Sequence, residues 1–173
     1  MALVIKGSSS GQITVDVPSA SGTNTLTLPA KTGNIDIQGS AFKAYLGSNQ
    51  SISADTHTKV QFNTEDFDTG SEYDNSSNYR FTPTTGGYYM LNTQLFTDSG
   101  SARTIIRFRK NGSEISNYDL TASTINCIST STLVNANGTG DYFEVFVQFV
   151  GSGKTLASGQ TNTFFSGHFV RGT

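Results

Sequence analysis

The run of residues that most constrains the fold is the stretch from Tyr88 to Phe96, which reads YYMLNTQLF and follows Thr85-Gly86-Gly87. Side chains alternate between the two faces of a β-strand. On such a strand one face carries Tyr89, Leu91, Thr93 and Leu95, and the other carries Tyr88, Met90, Asn92, Gln94 and Phe96. The first face is mostly apolar and the second is mixed, which is the pattern of a strand with one face turned to a core.

Similar alternation recurs along the chain in short segments separated by turn residues. The predicted strands are 41–46, 59–63, 103–110, 114–120, 125–134, 142–150 and 163–171. Asn111-Gly112 is a strong hairpin dipeptide because both positions tolerate a positive φ. In strand 142–150 the predicted core face is Phe143, Val145, Val147 and Phe149. No window has a sustained period of 3.6 residues, so the sequence predicts an all-β sandwich.

The composition excludes several classes of function. Charged residues make up 14% of the 173 residues, against roughly 25% in ordinary globular proteins. The formal net charge is -2, which provides no basic field to hold phosphates, so we expect no nucleic-acid partner. The apolar run from Ala2 to Ile5 is too short for a signal peptide or a membrane span, and we expect no membrane insertion. The single cysteine, Cys127, cannot form an intrachain disulfide and is predicted to be a buried small hydrophobe.

A set of spaced residues leads into the central strand and continues through it. The set is Phe62, Asp68, Tyr73, Phe81, Gly87, Tyr89 and Leu91. This pattern resembles that of the complement-1q-type globular head, a trimeric jelly roll related to the tumour-necrosis-factor fold. The sequence departs from the family by one extra residue between Tyr73 and Phe81, by Leu91 where the family prefers Phe, and by Thr93 where it prefers an aromatic residue. Matches at 106–112, 140–141 and 165–170 extend the resemblance to about residues 41–171.

The resemblance implies an antiparallel jelly-roll head over residues 41–173 that assembles as a homotrimer. The residues expected at the trimer interface or in the core are Tyr88, Tyr89, Phe96, Tyr142, Phe146, Phe165, His168 and Phe169. Sugar stacking is the other role open to tyrosines outside the core, such as Tyr45, Tyr79 and Tyr118. Heads of this family often bind calcium near the trimer axis. No residue here falls on a ligand motif, so no cofactor is expected and calcium is kept only as a candidate.

Residues 8–37 alternate apolar and polar side chains in three short segments separated by proline and glycine. Strands this short have too little apolar surface to be stable alone, so we expect them to fold against something, such as further copies at a trimer axis. The stretches ITVDVP and GTNTLTLPAKTG resemble an N-terminal module of fibre and other structural proteins of tailed bacteriophages. We predict that residues 1–40 form a β-rich module that anchors and trimerises the protein; the alternative is a Ser/Thr-rich linker. The predicted anchoring residues are Ile13, Val15, Val17, Leu26 and Leu28.

The jelly-roll topology that the resemblance implies, together with the alternating direction of antiparallel strands, predicts which loops share an end of the head. If the N-terminal module marks the base, the turns at 84–87, 111–113 and 135–140 lie at the base. The loops 97–103, 119–124 and 151–160 then crown the opposite end, and loops on rigid scaffolds often bind ligands. The candidate ligand-binding residues are Asp98, Arg103, Asp119 and Lys154. The last loop contains GSGKT, but Gln148 stands where a phosphate-binding loop needs glycine, so it is not expected to bind phosphate.

The sequence offers little support for catalysis. The only histidines are His57 and His168; the first is expected to be solvated, the second to pack or to face the trimer, and neither belongs to a metal-binding cluster. The acids at 65–68 and 72–74 would need a sugar cleft to act as glycosidase acids. They are interpreted as solvated loop acids, with calcium binding as the alternative. We therefore predict that the protein is not an enzyme.

Together these observations favour a structural virion protein of a tailed bacteriophage. The protein would be a trimeric fibre or capsid decoration protein, assembled in the host cytoplasm and exposed on the particle exterior. Its partners would be further copies of itself, another virion protein of the tail, baseplate or capsid, and a host cell-surface glycan or protein. Two alternatives stay open: a secreted bacterial or spore-surface binding module of the same fold, and an enzyme such as a capsule depolymerase.

Overall fold

The segments of alternating polarity form strands in the computed structural model, which describes residues 3–6, 10–15, 22–23, 39–97, 103–121 and 126–173. The strands are β1 (Leu3–Lys6), β2 (Gln12–Val15), β3 (Ala41–Tyr45), β4 (Gln50–Ile52), β5 (Thr58–Lys59), β6 (Thr64–Asp68), β7 (Tyr73–Asp74), β8 (Arg80–Phe81), β9 (Gly87–Phe96), β10 (Thr104–Lys110), β11 (Ser113–Leu120), β12 (Cys127–Ala136), β13 (Phe143–Phe149), β14 (Lys154–Leu156) and β15 (Phe164–Arg171). Within the ranges described there is no helix, and so none that has the length and apolarity to cross a membrane.

The strands of the head build two main antiparallel sheets. One sheet has five strands in the order β12-β9-β15-β3-β6. The other has the order β11-β10-β13-β8-β7, with β5 also paired to β13, and β14 and β4 form a separate small sheet. The C-terminal strand β15 lies between β9 and β3, so the two ends of the head sequence meet in one sheet. This arrangement confirms the predicted antiparallel jelly-roll sandwich.

The core lies between the two main sheets, and strand parity determines its composition. Every second residue of β9, starting from Gly87, is buried, and the residues between them are partly exposed. The buried face of β13 is Phe143, Val145, Val147 and Phe149. In both β9 and β13 the buried face is the one that the sequence predicted to face the core. Aromatic rings fill the middle of the core: Phe42 of β3 packs edge-on against Phe165 of β15 at 4.9 Å and stacks on Phe81 of β8 at 4.3 Å between centroids.

One glycine in this region has no room for a side chain. A Cβ on Gly167 of β15 would lie 2.7 Å from Leu91 Cδ2 and 2.8 Å from Phe42 Cε1. We predict that Gly167→Ala lowers the free energy of unfolding by about 1–3 kcal/mol, the usual cost of overpacking. Urea denaturation measures the change. Gly172→Ala is the matched control because its Cβ would meet no atom within 4 Å, and equal losses from both variants would contradict the packing argument.

Three sequence-based expectations about the strands and loops of the head are wrong. The strand predicted at 59–63 is not continuous, because β5 ends at Lys59 and β6 begins at Thr64. The amide of Val60 still donates to the carbonyl of Val145, and the amide of Gln61 donates to Gln50 Oε1. Cys127 is exposed rather than buried: its neighbour Ile128 points to the core, so parity turns Cys127 outward. The segment 151–160 is not a free loop, since β14 pairs with β4 and buries Leu156.

The chain divides into two units, Met1–Gly33 and Asn34–Thr173. In the first unit β1 and β2 form an antiparallel hairpin, with Ile5 opposite Ile13 and Leu3 opposite Val15. The predicted anchoring residues Val17, Leu26 and Leu28 lie outside the described residues. The predicted domain boundary between residues 40 and 41, and the anchoring role of this unit, therefore stay predictions.

Candidate functional site

The turns predicted to share one end of the head do cluster there. Asp141 holds two of them together, because its carboxylate accepts hydrogen bonds from Asn111 Nδ2 at 2.7 Å and from the amide of Asn137 at 2.8 Å. The third turn lies beside them: a Cβ on Gly138 would meet the amide nitrogen of Gly86 at 2.4 Å. The chain enters β3 at the same end, which we call the entry end, the end formed by residues 39–41, 84–87, 111–113 and 135–141.

Electrostatics stabilise this end of the head. Lys110 Nζ lies 2.8 Å from Asp141 Oδ2. The hydrogen bond from Lys110, followed by those from Asn111 and from the Asn137 amide, holds the pKa of Asp141 below its usual range, although burial acts in the opposite direction. The carboxylate therefore stays ionised at neutral pH and keeps the two turns together.

The loops predicted at the opposite end also meet, and we call this the far end. The amide of Val150 donates to the carbonyl of Arg103 at 3.0 Å, and the amide of Ala157 donates to the carbonyl of Phe96 at 2.8 Å. Arg103 forms a two-pronged salt bridge with Asp119, with Nε 2.9 Å from Oδ1 and Nη2 2.6 Å from Oδ2. The far end therefore joins three chain segments that are remote in sequence.

Of the four residues predicted to bind a ligand, the structure brings two together. Arg103 and Asp119 form the exposed salt bridge just described. Lys154 lies in β14, opposite Ile52 of β4, and Asp98 lies outside the described residues. Because Asp119 already pairs with Arg103, these two side chains offer a ligand a neutral pair rather than two independent charges.

The salt bridge shifts the titration of both partners. The hydrogen bond from Arg103 lowers the pKa of Asp119, and the same contact raises the pKa of Arg103. We predict that Arg103→Gln raises the pKa of Asp119 towards its ordinary value. In the native protein Asp119 keeps its charge as the pH falls, and the salt bridge is lost only when the pH passes below the lowered pKa of Asp119. NMR titration of the Asp119 carboxyl measures this, and an unchanged pKa in the variant would contradict the pairing.

Three of the acidic residues that had suggested calcium, Asp68, Glu72 and Asp74, accept hydrogen bonds from the backbone instead. Asp68 accepts from the amides of Gly70 and Tyr73, and Glu72 Oε1 accepts from the amide of Thr84 at 2.7 Å. Asp74 accepts from Ser76, Ser77 and Asn78, with the Ser77 amide contributing most to a strongly lowered pKa. The interpretation of these residues as solvated acids is wrong for Glu72, which is buried because its side chain caps this loop. Within the described residues no three His, Cys, Asp or Glu side chains are grouped to hold a metal ion.

The predicted interface and core aromatics fall into three groups. Tyr89 and Phe165 are fully buried, and Phe169 packs partly buried against the core. The outer face of the five-stranded sheet carries Tyr88, Phe96 and His168. His168 is exposed on that face, so it does not pack in the core of the head. The outer face of the other sheet carries Tyr142 and Phe146, which lie under Arg80 and Arg109 respectively.

One edge of the sandwich exposes apolar side chains that the sequence analysis did not single out. β12 and β11 are edge strands of the two sheets, and Leu133 and Ile115 are 56% and 42% exposed on them. Both residues line a groove of about 260 Å³ that also includes Lys110 and Asn135. Leu133 is paired with Met90 of β9, which is paired with His168 of β15. We call Leu133 and Ile115 the apolar edge. The sequence signal for Leu133 was its position on the outward-facing side of β12, in a segment of serine and threonine residues.

Comparison with known proteins now places this fold. The C1q domain model matches residues 41–170. The chain belongs to the C1q domain family. Domains of the C1q and tumour-necrosis-factor-like type are typically binding modules without enzymatic activity. No curated protein sequence matches this C1q-family chain.

Solved structures with the same fold come from several sources. Murine APRIL is similar with a TM-score of 0.61 and 13% identity over 77% of this chain and 100% of that one. The globular domain of zebrafish complement 1qA has a TM-score of 0.58 and 16% identity over 79% of this chain and 100% of that one. The vertex protein P5 of PRD1 has a TM-score of 0.61 and 13% identity over 76% of this chain and 97% of that one. At these identities the likeness concerns the fold.

Proposed function

We propose that this C1q-family protein is a homotrimeric structural protein of a tailed phage particle, either a fibre or a decoration protein. Its N-terminal unit attaches to the particle, and its head is exposed on the exterior, where it contacts a host surface receptor or glycan or covers the shell. The protein acts by binding and is not an enzyme. The observation that carries the proposal is the combination of a C1q head with an N-terminal segment similar to those of phage structural proteins.

The homotrimer rests on the family and on the apolar edge. Homologues in the C1q and tumour-necrosis-factor families are trimers. An exposed edge strand with a large apolar side chain is a liability unless another chain covers it. The partly exposed outer face of β9 and β15 offers a cover for Leu133 and Ile115 of a neighbouring copy. A three-fold ring requires a heterologous contact, in which one patch of a copy meets a different patch of the next copy.

The virion role draws support from the directions of the chain and from one neighbour. β3 starts at the entry end, so the far end is the end of the head remote from the point where the chain enters it. A phage vertex protein, P5 of PRD1, has the same fold. At the far end the segments around Arg103, Asp119 and Leu156 converge, and these are the surfaces that would meet a host ligand.

Gold-labelled antibody against the head, applied to phage particles from the source lysate, tests this proposal. Label at the tail tip would identify a receptor-binding fibre, and label over the shell would identify a decoration protein. Absence of label from every particle would refute the virion role and favour a secreted or spore-surface module of the same fold.

The role of the N-terminal unit can be tested separately. We predict that replacing both Leu26 and Leu28 with serine reduces incorporation into particles while the head still folds, because burial of apolar side chains drives the association. The measurement is the amount of protein in purified particles, with the thermal unfolding of the free variant as the folding control. Normal incorporation would mean that this segment is only a spacer.

A further inference from the structure

The outer face of the second sheet carries three cationic side chains around one aromatic ring. The strand register places Arg107 of β10, Phe146 of β13 and Lys59 of β5 side by side. Arg109 lies two residues further along β10 on the same face. Its guanidinium carbon is 3.9 Å from the centroid of the Phe146 ring, and Lys59 Nζ is 5.8 Å from it. We call Lys59, Arg107 and Arg109 the basic patch.

The three cations differ in how they are neutralised. Arg107 Nε lies 2.6 Å from Glu114 Oε2, and Lys59 forms a salt bridge with Glu144. Arg109 has neither a salt bridge nor a hydrogen bond with any residue that the structure describes, and its Nε is buried without an acceptor. The register places Arg109 opposite Glu114 on one side and Glu144 on the other. Three cations against two carboxylates leave the patch as a whole with one positive charge in excess.

Contact with Phe146 prepares Arg109 to bind an anion. A guanidinium group is planar and presents its N–H donors in a fork that matches a carboxylate or a phosphate. Stacking on an aromatic ring fixes the plane of the group, so less side-chain freedom is lost when a ligand binds. Since Nε is buried and the side chain is partly exposed, the two Nη groups form the edge that a ligand can reach.

The positive charges of the basic patch also affect the pKa of the neighbouring His57. Arg107 contacts the imidazole of His57. Burial lowers the pKa of His57, and the charges of Arg107 and Arg109 lower it further, although Glu114 acts in the opposite direction. His57 therefore adds no charge to the patch at neutral pH.

We propose that Arg109 binds a carboxylate or phosphate group of an acidic glycopolymer on this face of the head, with Lys59 and Arg107 beside it. Nucleic acid fits less well, because Glu114 and Glu144 would repel a duplex that carries one negative charge per about 1.7 Å of its axis. A polymer with more widely spaced charges can place one of them at Arg109. The site lies on the side of the sandwich and does not depend on the virion role.

Binding of the full-length protein to immobilised polymers tests the proposal. The probes are polygalacturonate for carboxylates, poly(glycerol phosphate) for phosphates, neutral dextran, and duplex DNA. We expect binding to at least one acidic glycopolymer, which identifies the anion, and none to dextran. Raising the salt from about 50 to about 200 mM should weaken the binding because exposed charges are screened. Failure to bind either acidic polymer, or tighter binding to DNA, would overturn the proposal.

Variants assign the binding to the basic patch. Arg109→Gln should weaken binding about tenfold or more, since hydrogen bonds to charged groups are among the strong ones. Arg109→Lys keeps the charge but loses the fork, and should retain intermediate affinity. Arg171→Gln removes the same charge from an exposed residue of β15 and should leave binding unchanged. The assignment would be contradicted if Arg109→Gln and Arg171→Gln lost the same amount of binding affinity. It would also be contradicted if only Arg103→Gln, at the far end, lost affinity. The unfolding midpoint of each variant confirms that it is folded.

Discussion

Replacing Phe165 with alanine is expected to lower the free energy of unfolding by about 3–5 kcal/mol, the range for removing a large aromatic side chain from a packed core. Phe165 is fully buried, and its ring centroid lies 4.9 Å from that of Phe42, 6.1 Å from Tyr73 and 6.2 Å from Phe108. These rings belong to strands of both sheets. Because β15 is paired on both sides, its backbone cannot move inwards to fill the space, and a cavity remains.

Urea denaturation at one fixed protein concentration measures this loss, because unfolding of an oligomer depends on concentration. Phe67→Ala is the matched control: Phe67 is 46% exposed on the edge strand β6. Its loss should be well below that of Phe165→Ala, since surface changes usually stay within about 0.5 kcal/mol. Equal destabilisation by the two variants would contradict the assignment of Phe165 to the centre of the core.

Leu133→Asp is expected to convert the proposed trimer to monomers at micromolar concentration. Leu133 is 56% exposed in the isolated chain, so the change costs the head little. In a trimer each of three equivalent contacts would bury an unpaired carboxylate, which is strongly unfavourable. Light scattering should therefore report the mass of a single chain for the variant, while its circular dichroism stays that of an all-β protein.

Ser48→Asp supplies the same charge change at an exposed position between β3 and β4 and should leave the oligomer intact. If Leu133→Asp kept the native mass, the apolar edge would not be the subunit contact. If both variants dissociated, the added charge rather than the position would be the cause.

The sequence was most informative where strand parity is unbroken. The alternating burial along β9 and β13 could be predicted residue by residue, because each strand has one face on the core and every second side chain must follow. The two ends of the head were also predictable, since antiparallel strands alternate in direction. Cys127 shows the limit of this reasoning: its apolar neighbours suggested burial, and only the register of β12 decides that Ile128 points inwards instead.

Features that depend on distant partners could not be predicted. β4 and β14 are three residues each and exist because Gln50–Ile52 meets Lys154–Leu156 across about a hundred residues of sequence. The bond from Thr84 to Glu72 depends on where Thr84 lies in the fold, and the sequence alone favoured solvated loop acids, with a calcium site as the alternative. The stacking of Arg109 on Phe146 joins β10 to β13, and neither residue carries a local signal for it.

The mass of the native protein in solution tests the central claim most directly. Light scattering at micromolar concentration should give three times the chain mass of 18.5 kDa, with no dissociation on dilution over a wide range, as expected of an obligate assembly. A mass of one chain would contradict the trimer, and with it the proposal that the apolar edge of each head is covered by the next.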